Sequence, residues 1–271
     1  MKCIFPLLAF LAVARALPAA DLYVAPDGRD DQPGTAAAPL QSLAAARDAA
    51  RKVAGREAVT VHVAGGVYYL PDTLVFSAAD SGAAGKPVIY RADREGGAVI
   101  SGGQKLPLAW TPYRDGIFQA DVPAGLAIDQ LFVNGQRQRM ARYPNHDANQ
   151  PTAAYQGHAA DAFAKERAAR WADPTGGYIH AMHVAHWGGY HYRITGKKAD
   201  GNVAYEGGWQ NNRQMGMHKD LRMVENIFEE LDASGEWFHD AKANRLYYQP
   251  ATGVDLARAT VEVVRLRHLV E

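Results

Sequence analysis

The sequence predicts a mainly β protein whose first part folds as the opening coils of a parallel β-solenoid. Val59, Val61 and Val63 alternate with polar residues, which is the pattern of a half-buried strand. Short apolar runs then recur and are separated by glycines, at residues 67–70, 74–76, 88–90 and 99–100. Successive strands of three or four residues with glycine bends are typical of a solenoid coil.

The spacing of these runs favours the solenoid over its main alternative. The separations from Val61 to Val88 and from Val75 to Val99 are close to the ~20–29 residues of solenoid repeats. The alternative is a sandwich of short strands, which would instead show regular alternation and hairpin turns of the Asn-Gly type.

A capping helix is predicted ahead of these strands. Ser42 is a suitable N-cap for a helix that runs from Leu43 to Val53. Leu43, Ala46 and Ala50 recur at helical spacing, and their small side chains allow close packing.

The composition is that of an ordinary globular protein and argues against one class of partner. The 271 residues are 48% hydrophobic and 21% charged, and the 29 basic residues balance the 29 acidic ones. Nucleic-acid binding requires a basic excess on one face, whereas the basic residues here are scattered. The sequence therefore predicts no nucleic-acid partner.

Residues 1–20 are predicted to be a secretory signal peptide. A positively charged start precedes an apolar stretch at residues 4–13, and small residues suitable for cleavage follow. The stretch is shorter than the ~20 residues that span a bilayer. The single cysteine, Cys3, lies inside this segment, so we expect a secreted or periplasmic protein without disulfides, cysteine metal sites or a membrane span.

The second half of the chain reads as further strands. Asn134-Gly135 indicates a hairpin, followed by a strand at residues 136–142, and residues 159–171 could form a short helix. Further strands are expected at residues 118–122, 129–134, 178–186, 190–195, 203–205 and 223–228, with a hairpin joining 236–240 to 246–248. Residues 260–264 and 269–270 are apolar, and an uncapped apolar strand at the end of a solenoid predicts that the chain is a piece of a longer protein.

Three segments carry a family resemblance. Residues 22–28 resemble the opening of secreted right-handed β-helix proteins. Residues 130–145 are more specific, as are residues 224–232 with the stretches that follow at 235–238 and 246–250. Together and in this order they resemble the N-terminal part of proteins similar to glycoside hydrolase family 141.

The resemblance implies a fold and a division into domains. It implies a right-handed parallel β-helix whose early coils are interrupted by an inserted β-barrel-like domain. The expected domains are a cap with first coils at 21–105, the inserted β domain at 106–250 and a truncated return to the β-helix at 251–271. Members of the family are exported enzymes that act on complex polysaccharides, with fucosidase and xylanase types. Their acidic catalytic pair lies on later coils, so no catalytic residue is assigned here.

The densest acidic stretch is interpreted as structural. Glycoside hydrolysis normally needs two carboxylates that are ~5–5.5 Å or ~6.5–9.5 Å apart. A catalytic pair or substrate contacts remain alternatives to turns and ion pairs for this stretch, which comprises Glu225, Glu229, Glu230, Asp232, Glu236 and Asp240.

Four histidines lie close together in the sequence, at positions 180, 183, 186 and 191. Their spacing fits neither a strand nor the helical zinc motif of metalloproteases. We expect hydrogen-bonding roles, with sugar contact or metal binding as alternatives. Calcium bound in the turn-rich loop at 27–31 is a further alternative, and no cofactor or metal is assigned.

Aromatic and polar residues beside paired glycines form the candidate substrate-binding set. Sugars are bound by aromatic rings that stack on their apolar faces and by polar groups that bond their hydroxyls. Tryptophans that fill a small core are the structural alternative. The set comprises Trp187, Tyr190, Trp209 and Arg213.

The sequence thus predicts the N-terminal part of an exported, glycoside-hydrolase-like protein that acts on polysaccharide and is inactive alone. Two alternatives stay open. One is a non-enzymatic carbohydrate-binding or surface-interaction protein, and the other is part of a polysaccharide lyase.

Overall fold

A computed structural model describes residues 19–208 and 216–271 of the chain. The described residues form a mainly β protein, as predicted, and they divide into two compact units. One unit extends to Gly103 and includes Arg265–Glu271, and the other comprises Gln104–Val264. The sequence predicts the inserted domain at residues 106–250. The second unit begins at Gln104 and also includes residues 251–264.

The first unit is built from parallel strands. Strands β1, β2 and β4 form one parallel sheet in that order, and β3 pairs in parallel with β5. Parallel neighbours require the chain to travel back between them, because a tight hairpin can join only antiparallel strands. The strands are β1 (Ala19–Val24), β2 (Ala58–Val63), β3 (Gly66–Tyr69), β4 (Val88–Ala92) and β5 (Ala98–Ser101).

The strand pairing differs in detail from the spacing expected from sequence. Val88 lies beside Val59 rather than Val61. Val99 lies beside Val67 rather than beside residue 75, which is outside any strand. The residues that pair on neighbouring strands are therefore farther apart in the sequence than expected. The bends between the strands take up the additional residues.

The predicted helix is present as α1 (Leu43–Arg51), two residues shorter than expected. The Ser42 side chain accepts a hydrogen bond from the Ala45 backbone N–H at 3.0 Å, which caps the helix as predicted. Leu43, Ala46 and Ala50 are buried in one cluster with the alternating valines of β2. The apolar face of the helix thus covers the parallel sheet.

The edge strands β4 and β5 expose apolar side chains. In the described residues each of them has a strand neighbour on one side only. Ile89 on β4 is 44% exposed, and Val99 on β5 is 50% exposed. Such a surface has unpaired backbone groups beside exposed hydrophobic area.

The second unit contains three sheets. Their orders are β10-β9-β19-β6, β11-β17-β18-β8-β7 and β12-β16-β13-β14-β15. The strands of the first two sheets are β6 (Gly103–Lys105), β7 (Thr111–Arg114), β8 (Ile117–Asp121), β9 (Leu131–Val133), β10 (Gln136–Arg137), β11 (Arg139–Met140), β17 (Glu236–Asp240), β18 (Arg245–Gln249) and β19 (Val261–Val264). The strands of the third are β12 (Arg142–Tyr143), β13 (Tyr178–His183), β14 (Gly189–Lys197), β15 (Val203–Gly207) and β16 (Met217–Glu225).

Both predicted hairpins are present. β9 and β10 are antiparallel around Asn134 and Gly135, whose positive φ values of 51° and 74° suit a tight hairpin turn. β17 and β18 form the second hairpin. The helix considered at residues 159–171 is reduced to α2 (Lys165–Ala168).

The single strand expected at residues 136–142 is wrong. The segment instead forms β10, β11 and β12, and each pairs with a different sheet. Gln138 lies between the first two and is buried, where it accepts a hydrogen bond from the Tyr248 hydroxyl at 2.9 Å. The continuous strand is thus interrupted at Gln138, whose side chain is buried because it bonds to a residue far away in the sequence. The local alternation of apolar and polar residues does not reveal such a partner.

The apolar segment near residue 260 is not an uncapped strand. β19 lies between β9 and β6, and its residues Val261 and Val263 are buried. The segment that follows returns to the first unit, where Val270 forms a parallel bridge with Leu74. No helix among residues 19–208 and 216–271 has the length and apolarity needed to span a bilayer.

Candidate functional site

The third sheet of the second unit buries one face and presents the other to solvent. Along β13, side chains alternate between partly exposed and buried positions because successive residues of a strand point to opposite faces. Ile179 packs with Ile194 of β14 and Val224 of β16 in a core that also contains Trp171. The opposite face, called the polar face below, carries Tyr178, His180, His191, Arg193, Glu206 and Glu225.

One row of side chains crosses four strands of the polar face. Tyr178 lies opposite Glu225 of β16 on one side and opposite Arg193 of β14 on the other. Arg193 in turn lies opposite Glu206 of β15. Directly paired residues share a face of the sheet, so these four side chains form a continuous polar and aromatic row.

The adjacent row contains two histidines that are joined by a hydrogen bond. His180 of β13 lies opposite His191 of β14, and their Nδ1 atoms are 2.6 Å apart. The Nε2 atom of His180 is 2.9 Å from Oε1 of Glu225. Burial lowers the pKa of His191, nearby His180 lowers it further, and Glu225 acts in the opposite direction.

Tyr155 lies over one end of the polar face. Its ring centroid is 6.2 Å from that of His180, and a Cβ added to Gly189 would lie 3.2 Å from its hydroxyl oxygen. The hydroxyl is buried and has no hydrogen-bond partner among the described residues. Burial raises the pKa of Tyr155 to about 12.

The backbone around Tyr155 is held in an unusual conformation by Arg142. Tyr155 has a φ of 57°, which a non-glycine residue rarely adopts. The buried Arg142 guanidinium donates to the carbonyl oxygens of Pro144, Tyr155 and Gly157 at 2.8, 3.1 and 2.9 Å. A side chain on β12 therefore fixes the segment that carries Tyr155 onto the sheet, and backbone strain of this kind is concentrated at functional sites.

Two surface cavities share Tyr178 and Arg193 in their linings. One has a volume of about 640 Å³ and is also lined by His191 and Glu206. The other, of about 560 Å³, is lined by the aromatic residues Phe228, Phe238 and Tyr247 and by charged residues that include Asp240 and Lys242. Cavities that combine aromatic rings with a few polar groups are typical of small-molecule and saccharide sites.

The four clustered histidines separate into different environments. His180 and His191 meet on the polar face, whereas His183 lies on the buried face of β13 and stacks on Trp187 with ring centroids 5.1 Å apart. The His186 ring is 4.9 Å from that of His218. In the described part of the chain no group of three or more His, Cys, Asp or Glu side chains is arranged to hold a metal ion.

Of the residues predicted to bind substrate, the structure describes Trp187 and Tyr190, and neither lies on the polar face. Trp187 is 67% exposed beside His183, and its ring is open to a stacking partner. Tyr190 is buried, with its ring 5.8 Å from that of His183. Trp209 and Arg213 lie outside the described residues.

Most of the acidic stretch makes contacts within the second unit. Glu230 is 1% exposed and accepts hydrogen bonds from Arg167, Arg170 and the indole N–H of Trp171. The remaining contacts are Glu229 with the Ala172 N–H, Asp232 with the Asn145 amide, and Asp240 with the backbone of its own turn. Two residues of the stretch differ from these. Glu225 lies 2.9 Å from Nε2 of His180 in the histidine pair, and Glu236 is a buried acid.

Sequence reasoning did not single out Tyr155, Tyr178, Arg193 or Glu206. Tyr155 lies in an alanine-rich stretch without a β pattern, and no local signal marks it. Alternation along β13 and β14 could have assigned Tyr178 and His180, or His191 and Arg193, to one face. The pairing of those strands could not be obtained in the same way, because register is a tertiary property.

Comparison with known proteins shows similarity to a pectate lyase in sequence and to a glycoside hydrolase in structure. A segment of 98 residues, 36% of this chain, is 43% identical to the pectate lyase PEL9 of Emericella nidulans and corresponds to 22% of that protein. A solved glycoside hydrolase superposes on 93% of this chain with a TM-score of 0.72 and 21% identity. The chain corresponds to 47% of that structure, so it spans about half of its length.

No family model matches the sequence. The chain is therefore similar in fold to a glycoside hydrolase and, over about a third of its length, similar in sequence to a pectate lyase.

Proposed function

We propose that this chain is the N-terminal part of an exported, glycoside-hydrolase-like protein that acts on a complex polysaccharide. The observation that carries the proposal is the fold shared with a solved glycoside hydrolase over nearly the whole chain. The sequence similarity to a pectate lyase supports the same class of substrate independently. Export rests on the signal-peptide pattern of the first 20 residues.

The proposed architecture is a right-handed parallel β-helix with an inserted β domain. The parallel pairing of β1, β2 and β4 and of β3 with β5 supports stacked coils. The exposed apolar side chains on β4 and β5 would be covered by a following coil. In this proposal the catalytic carboxylates lie on later coils, and the present residues alone do not hydrolyse glycans.

The proposed substrate contacts are Trp187, Tyr190, Trp209 and Arg213. Trp187 supports this assignment best, since an exposed indole backed by a stacked imidazole offers a rigid platform for a sugar ring. The buried position of Tyr190 suits support of His183 and Trp187 more than direct contact.

Binding to soluble oligosaccharides tests the substrate class. We expect xylohexaose or hexagalacturonate to bind in isothermal titration, and Trp187→Ala to weaken that binding about tenfold, which corresponds to about 1.4 kcal/mol for loss of a stacking contact. Val184→Ala, an exposed apolar residue in the same turn, is the matched control and should leave affinity unchanged. Absence of binding by the unmodified protein would contradict the proposal.

Turnover assays separate the enzymatic proposal from its alternatives. Incubation of the 271-residue protein with aryl fucosides, xylan and polygalacturonate should release no product, while a version extended by the downstream coding sequence should be active. Elimination products from polygalacturonate with the extended protein would favour the lyase alternative, which the similarity to a pectate lyase supports. Binding without turnover by the extended protein would favour the non-enzymatic alternative.

A further inference from the structure

The hydrogen bonds of the histidine pair determine where its protons lie. Two Nδ1 atoms 2.6 Å apart share one proton, so one imidazole donates and the other accepts. The Glu225 carboxylate, 2.9 Å from Nε2 of His180, requires a proton on that nitrogen. Neutral His180 therefore has a bare Nδ1, which accepts the proton carried by Nδ1 of His191.

This arrangement of hydrogen bonds leaves one lone pair, that of His191 Nε2, without a partner among the described residues. When both imidazoles are neutral, Nε2 of His191 is unprotonated and able to accept a hydrogen bond. No hydrogen bond to that atom occurs within the described residues. His191 lines the cavity of about 640 Å³, so the acceptor belongs to a residue at a solvent-accessible concavity.

The neighbours of His191 suit a ligand with many hydroxyl groups. Tyr178 provides an aromatic ring, and Arg193 and Glu206 provide donors and acceptors in the same row. Their opposite charges offset each other, so recognition depends on hydrogen bonds rather than on net charge. Arg193 makes no ion pair within 4 Å in the part of the chain that the structure describes.

We propose that the polar face, with Tyr178, His191, Arg193 and Glu206 as contacts, is a second saccharide-binding site, distinct from the Trp187 site. Glu225 and His180 are positioning residues, because they fix the tautomer of His191 without touching the ligand. The second cavity is also lined by Tyr178 and Arg193, so a ligand longer than one sugar could contact both cavities. The inference rests on the proposed carbohydrate function.

Nuclear magnetic resonance of the unmodified protein labelled with ¹⁵N-histidine tests the relay directly. At neutral pH we expect His191 as the Nδ1–H tautomer and His180 as the Nε2–H tautomer. Addition of xylohexaose should shift the His191 Nε2 resonance, and hexagalacturonate should bind no more tightly than xylohexaose. An Nε2–H tautomer at His191, or no shift of its resonance with a bound saccharide, would overturn the inference.

Variants separate this site from the one at Trp187. His191→Gln should weaken xylohexaose binding about fivefold to tenfold, as expected for one hydrogen bond, and Arg258→Met, a distant exposed arginine, should not. If only Trp187→Ala weakens binding, the second site is wrong and the carbohydrate function stands. If neither probe binds, both proposals fail.

The pH dependence of binding tests the positioning role. Protonation of His191 at Nε2 removes the acceptor, so affinity should fall on acidification. Glu225 raises the pKa of His191, so Glu225→Gln should move the acid limb of the binding curve to lower pH. If Glu225 had a purely structural role, Glu225→Gln would lower the affinity at every pH and leave the acid limb of the binding curve at the same pH. Among residues 19–208 and 216–271, the titratable or charged side chains on the polar face around His191 are His180, Glu225, Tyr155, Tyr178, Arg193 and Glu206.

Discussion

Glu236 shows how strongly a single buried acid can respond to its surroundings. Its side chain is on β17, the residue is 2% exposed, and Oε1 has no hydrogen-bond partner among the described residues. Burial raises the pKa of Glu236 to about 8, against the lowering effect of the Asp232 and Ala233 backbone N–H groups and the Arg142 charge. A carboxyl group in such a position is held in its neutral form at physiological pH.

This acid makes stability dependent on pH. Between the ordinary glutamate pKa of about 4.3 and the raised value, the folded state holds a proton that the unfolded state has lost. The free energy of unfolding therefore falls as pH rises through this window. We expect Glu236→Gln to be more stable than the unmodified protein by several kcal/mol at pH 8 and equal to it near pH 4, measured by urea denaturation.

The matched control is Glu166→Gln, which changes an exposed glutamate in α2. It should leave the pH dependence of unfolding as it is. If the free energy of unfolding has the same slope against pH in the Glu236 variant and the unmodified protein, Glu236 has an ordinary pKa.

At the scale of the element, α1 depends on its cap. The Ser42 hydroxyl accepts from the Ala45 N–H, while the Asp30 carboxylate accepts from the backbone N–H groups of Gln41 and Ser42 at 2.9 and 2.7 Å. The loop before the helix and the first turn are thus fixed together. Buried Ala46 and Ala50 then bring the helix close to the β2 valines.

Removal of the cap should destabilise the first unit modestly. Ser42→Ala leaves the Ala45 N–H without its partner, and we expect a loss of about 1 kcal/mol in the free energy of unfolding. Chemical denaturation followed by circular dichroism measures it. Ser81→Ala changes an exposed serine that bonds to Ala78 through its backbone N–H, which the substitution keeps. It should change stability by less than about 0.5 kcal/mol, and equal losses for both variants would argue against a capping role of the Ser42 side chain.

At the scale of the whole molecule, we expect the exposed edge of the first unit to favour self-association. Ile89, Val99 and Ile100 lie on edge strands whose apolar side chains are 40–50% exposed. Open apolar edges pair readily with other chains unless charge opposes it.

Charge placed on this edge should oppose self-association. We expect Val99→Lys to lower the association of the 271-residue protein in sedimentation velocity experiments and to change its stability by less than about 1 kcal/mol, since the site is half exposed. Val184→Lys adds the same charge at an exposed turn of the second unit and should have no such effect. Equal sedimentation of the two variants would assign the association to another surface.

The amino-acid sequence by itself determined the mainly β class, the helix capped by Ser42 and the hairpin at Asn134-Gly135. These follow from periodicity, cap chemistry and turn chemistry, which act between residues a few positions apart. The division of residues 136–143 among three sheets, the partner of Val99, and the meeting of Glu225, His180 and His191 beneath Tyr155 were decided only by the tertiary structure. Each depends on which distant strands pair and in which register, because one residue of slip would turn every side chain to the opposite face.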